Sequence, residues 1–203
     1  MSEWWTYRLG DFLMFSPATY WRMVANYHEA TWPAQVVGLA GGVAALWLTT
    51  LRGAGAARVQ ALLLAVAWLW VGWAFHWQRY STINWAASYF ALAFAAQALM
   101  LAALAFTRRT EVAAAGPGAS QTAGWLLAVT GLVGYPLMGA WAGQPWSHVE
   151  IFGVSPEPTA LVSLGVLLAG PQQAPRWGRW LLAVIPTLSL LAGAATLLAM
   201  ARL

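Results

Sequence analysis

The chain has 203 residues, of which 61% are hydrophobic and only 8% charged, with a formal net charge of +4. That balance, with apolar runs along nearly the whole length, excludes an ordinary water-soluble globule and points to a multi-pass membrane protein. The small positive charge is spread over loops and gives no basic patch for nucleic acid; the absence of cysteine removes disulfides and thiolate chemistry, and the absence of lysine removes Schiff-base cofactors.

Residues 1–31 lack the basic start, short apolar stretch and small-residue cleavage site of a signal peptide and are expected instead to lie along the membrane surface. Ser16 reads as a helix cap and Pro17 as the first helical residue, after which Tyr20, Trp21, Val24, Tyr27 and His28 recur at helical spacing.

A helix crossing a ~30 Å hydrocarbon core needs about 20 mostly apolar residues, because its backbone amides find no water there. Such runs cover residues 33–51, 59–77, 82–106, 122–143 and 180–201. A sixth, residues 156–170, opens with a strong start signal: Ser155 as cap, Pro156 in the first turn, then Glu157. At 1.5 Å per residue, about 15 residues reach only about 22 Å. This helix is therefore expected to begin below the surface, after a loop that dips inward, as a short and partly re-entrant span. The expected fold is all-α, a polytopic transmembrane bundle of about six spans with an N-terminal interfacial helix. It forms a single domain over 1–203, with a flexible loop at 110–121.

Within the spans, Gly38 with Gly42 and Gly139 with Gly143 have the spacing of close helix contacts. Gly72 and His76 share a face of the second span, as do Asn84, Ser88, Ala91 and Ala95 in the third. Pro136 and Pro186 predict kinks in spans that surround a cavity.

Counting crossings from residue 33 places His28, His76 and His148 on one side, side A, with the acidic residues Glu3, Asp11, Glu29, Glu150 and Glu157. Six arginines (Arg52, Arg58, Arg108, Arg109, Arg176, Arg179) fall on the opposite side and four (Arg8, Arg22, Arg79, Arg202) on side A. The excess of positive residues on cytoplasmic loops then makes side A extracytoplasmic.

This clustering nominates His28, His76, His148 and Glu150 as ligands of a divalent metal such as zinc, iron or copper. Trp73, Trp77 and Trp85, with Asn84 and Glu157, are expected to form a wall for an organic ligand or cation. The competing readings are a headgroup belt for the tryptophans, interfacial or relay roles for the histidines, and a helix-dipole role for Glu157.

The segments GDFLMFSPATYWR and HEATWPAQ, with the later GYPLMGAW and FGVSPEPTAL, resemble a family of small polytopic bacterial membrane proteins with no assigned activity. The resemblance spans most of the chain and implies a bacterial inner-membrane location and no residue roles. The leading expectation is a protein that binds and transports a small solute or metal ion through a side A site lined by His, Glu and Trp. The alternatives are a non-catalytic assembly or anchoring subunit and a metal- or haem-dependent membrane enzyme. Its expected partners are the lipid bilayer, the solute or metal ion, and a second copy or a larger membrane complex.

Overall fold

The computed structural model describes residues 13–51, 53–107, 118–170 and 176–202. Glu3 and Asp11, the arginines Arg8, Arg52, Arg108 and Arg109, and most of the 110–121 loop lie outside the described residues.

Every regular element among the described residues is helical. Helix α1 (Pro17–Ala30) is capped by Ser16, whose side chain accepts from the Thr19 amide, and Pro17 fills the first turn. It meets α2 (Ala34–Leu48) at 86° across a break containing the cis Trp32–Pro33 peptide. Next come α3 (Ala54–Trp70) and α4 (Ala87–Phe106). Helix α3 runs on through a π-helical turn, Val71–Trp77, so that one continuous helix spans Ala54–Thr82. Helices α5 (Ala119–Val129) and α6 (Tyr135–Trp141) are likewise joined by a π turn, Thr130–Gly134. Pro136 explains that turn: it has no N–H to give the preceding turn, and the wider ladder absorbs the freed carbonyl. Helices α7 (Pro156–Ala169) and α8 (Arg176–Met200) complete the bundle.

Four of these helices (Ala54–Thr82, Ala87–Phe106, Ala119–Trp141 and Trp177–Met200) are long and apolar enough to cross a membrane, or five if the bent α1–α2 pair forms one span. About six spans were expected, one of them short and partly re-entrant; the run at residues 33–51 yields a helix α2 of only 15 residues, which ends at Leu48. Large apolar side chains stand exposed along the outer faces, among them Val66, Leu92, Leu99, Phe106, Leu126 and Leu191.

Helix α7 decides where the site forms. It packs antiparallel to α5, glycine against glycine. A Cβ on Gly165 would lie 2.6 Å from the Gly124 carbonyl oxygen and 2.5 Å from the Ala128 nitrogen. Gly131 faces the Pro158 carbonyl, and Gly124 faces Ala169. The first turn of α7 is thus level with the middle of the α5–α6 helix, and α6 continues past it towards the end of the bundle where α2 begins and α3 finishes. We call this end A. The preceding loop must descend to meet α7. Phe152 sits on Gly38 and Gly42 of α2, Gly153 adopts φ +75°, and the Tyr27 hydroxyl donates to the Val154 carbonyl at 3.0 Å. The Gly153 amide then donates to Thr159 Oγ1 at 2.8 Å, tying the loop to the first turn of α7.

Two expected packing faces are absent. Gly139 and Gly143 meet no neighbouring helix, and Gly143 has φ +73° because it terminates α6. Asn84 precedes α4 and accepts from the Ala86 amide at 3.0 Å in the turn before the helix, so it does not share the helix face with Ser88, Ala91 and Ala95.

Candidate functional site

Two cavities meet at Glu150. The outer one, about 210 Å³, is lined by Trp21, Tyr135, Gln144, His148 and Glu150, and its rim at end A includes the exposed Met138 and Ala142. The inner one, about 40 Å³, lies deeper and is lined by Glu150, Glu157, His76, Tyr80, Ser189 and Thr196, with aromatic walls from Phe75, Phe90 and Phe94. The Glu150 carboxylate is shared by both.

The descending loop and the buried start of α7 bring the two carboxylates together from positions seven residues apart in the chain (157 − 150 = 7). Both are buried. The Tyr20 hydroxyl of α1 donates to Glu150 Oε1 at 3.4 Å, and Tyr135 interacts with the same carboxyl. Glu157 rests on Gly193 of α8, where a Cβ would collide with its carboxylate, and its Oε2 has no hydrogen-bond partner. Ser155, at the cap position of α7, also leaves its hydroxyl unpartnered.

His76 is brought inward by the π turn of α3. Its ring lies edge-on to Phe94, with centroids 4.5 Å apart, and neither ring nitrogen has a partner. Residue 76 occupies the π segment at the close of α3 next to Tyr80, which faces the same cavity.

The four residues advanced as metal ligands are divided. His28 donates from Nδ1 to the Ser147 carbonyl at 2.9 Å, holding α1 against the loop. His148 stacks on Trp21 at 5.4 Å and 19° in the outer cavity. His76 lies in the inner cavity, and only Glu150 reaches both. Among the described residues no three of His, Asp and Glu gather as a metal centre requires. The expected tryptophan wall is also displaced. Trp73, Trp77 and Trp85 are 54%, 51% and 63% exposed on the outside of the bundle, and none lines either cavity. Their amphipathic rings fit a headgroup belt at end A better than a cage. Asn84 is absent from both cavities, whereas Glu157 occupies the inner one.

Sequence reasoning missed Tyr20, Tyr80, Tyr135, Ser189, Thr196 and Gly193. Ser189, Gly193 and Thr196 recur at the three- to four-residue spacing of one face of α8, a signal that was present but not separable from ordinary small-residue packing. The hydroxyls and carboxylates together can hold a proton or a small cation. Among the described residues no arginine or lysine lines either cavity.

Residues 18–202 match a family model described as a family of unknown function (DUF6064). No curated protein and no solved structure matches the chain.

Proposed function

The chain belongs to DUF6064, a family of unknown function, and we propose that it is a multi-pass membrane protein that admits a small cationic solute from end A to the carboxylates at the middle of the bundle. The observation that carries this reading is the start of α7, which opens inside the bundle and sets Glu157 beside Glu150 at the floor of a cavity that reaches the surface. Interrupted helices that begin at mid-membrane are a common way of building solute sites in transporters. Trp21, Tyr135 and His148 supply aromatic faces to the outer cavity and Glu150 its negative charge, a combination suited to a cation.

In this reading the four long helices and α2 cross the bilayer, and α7 with its descending loop forms a re-entrant sixth passage. With α7 crossing, the arginine excess opposite end A makes end A extracytoplasmic; a bacterial inner membrane is the location that the family resemblance implies. Uptake of methylammonium and of sodium by proteoliposomes tests the proposal. Saturable uptake of either that is lost in Glu150→Gln is the expected result; equal flux in wild type, variant and empty liposomes would defeat it.

A second reading, an assembly subunit, draws on an apolar groove of about 470 Å³ between α2 and α3, lined by Val37, Gly38, Gly41, Leu63 and Val66. A glycine-floored groove admits a neighbouring helix closely. Stoichiometric co-purification of a second membrane protein, lost on Gly41→Leu, would favour it.

A further inference from the structure

We propose that Glu150 and Glu157 hold one proton between them and exchange it with end A through the outer cavity, so that the inner cavity is a proton site. The inference rests on the transport reading only in taking the outer cavity as open to water at end A.

Geometry carries it. Both carboxyls line one inner cavity of about 40 Å³. A water needs about 10–15 Å³ of such space, so there is room for about three waters. Two carboxylates in one buried site cannot both ionise without a compensating cation, and a single shared proton relieves the repulsion. The described groups facing the pair from each neighbouring element include no arginine or lysine: Tyr20 from α1, His76 and Tyr80 from the α3 helix, Tyr135 from α6 and His148 from the loop. Helices α4 and α8 contribute only uncharged side chains to the inner cavity, among them Phe90, Phe94, Ser189 and Thr196.

The orphaned atoms indicate where a proton and its waters would sit. Glu157 Oε2 and both nitrogens of His76 lack partners although each residue is more than nine-tenths buried, and they line the same space. Waters there would link the carboxylate to the imidazole. Glu150 is the entry point, since it alone among the titratable residues lines both cavities. The transfer is balanced: a proton from water in the outer cavity neutralises the Glu150 carboxylate, passes to Glu157, and returns by the same route.

Infrared titration of the purified full-length protein in detergent reads the proton directly. At near-neutral pH the wild type should show the C=O stretch of a protonated carboxyl. Glu150→Gln and Glu157→Gln should each weaken it, and the double variant should lack it. Should a glutamine variant fail to fold, Gly193→Ala, which displaces the Glu157 carboxyl, should lower the pH at which the wild-type band titrates. No such band in the wild type near neutrality, or a band that survives in the double variant, overturns the inference. The two proposals fail separately. The band without methylammonium or sodium uptake supports the proton site and defeats the transport reading, whereas uptake without the band does the reverse.

Discussion

Trp68 illustrates how single side chains hold this bundle together: fully buried, its ring packs against Phe94 with centroids 4.4 Å apart and planes tilted by 49°, and its Nε1 donates to Ser163 Oγ at 2.8 Å. Ser163 passes the chain of bonds on to the Thr159 carbonyl at 2.7 Å, so the indole of α3 anchors the middle of α7. Trp68→Phe leaves a buried acceptor without its donor and is expected to cost about 1–3 kcal/mol, read as a lowered Tm in detergent.

At the level of elements, the α5–α7 contact is the closest in the molecule to a backbone-on-backbone fit. Gly124, Gly131 and Gly165 each face backbone of the other helix where a side chain would intrude. Gly165→Val therefore forces the helices apart and is expected to destabilise by about 1–3 kcal/mol or more. Gly41 has open space around a would-be Cβ, so Gly41→Ala should change Tm little or raise it slightly, since alanine suits a helix better than glycine. Comparison of the two by thermal unfolding separates steric demand from helix propensity. The same contact sets the depth of α7: its 14 residues span about 21 Å, and docking on Gly131 and Gly124 fixes which part of the bundle they occupy.

For the whole molecule, topology is open to direct measurement because the chain has no cysteine. Ser147→Cys, beyond α6, and Thr50→Cys, beyond α2, lie at opposite ends of the bundle. Impermeant maleimide should label the first from outside the cell and the second only after permeabilisation. Labelling of both from one face would refute the arrangement. The tryptophans supply a second test. Trp73, Trp77 and Trp85 face outward, so lipids brominated near the headgroup should quench fluorescence more strongly in wild type than in a variant with all three changed to phenylalanine. Unchanged quenching would place them away from lipid.

The all-helical architecture, the long apolar helices and the short α7 were readable from the sequence. Each depends on local quantities: the length of an apolar run, the cap Ser16, and the prolines Pro17 and Pro156; Ser155 stands at the cap position of α7 but makes no side-chain cap bond. The turn before α2 was implied by reading a surface-lying helix ahead of a span that starts at Pro33, but its angle of 86° was not readable, since hydropathy reports no angle. The site was half readable. His76, Glu150 and Glu157 stood out because charged and imidazole groups are rare in apolar sequence. Their partition among cavities, the outward turn of Trp73, Trp77 and Trp85, and the gathering of Tyr20, Tyr80 and Tyr135 around two carboxylates were decided only by tertiary structure. The π turns rotate side chains relative to an ideal helix, and glycine contacts between α5 and α7 set how deep a half-length helix begins. Composition and spacing determine which segments form helices and which groups are costly to bury. Where those groups meet depends on crossings between segments far apart in the chain.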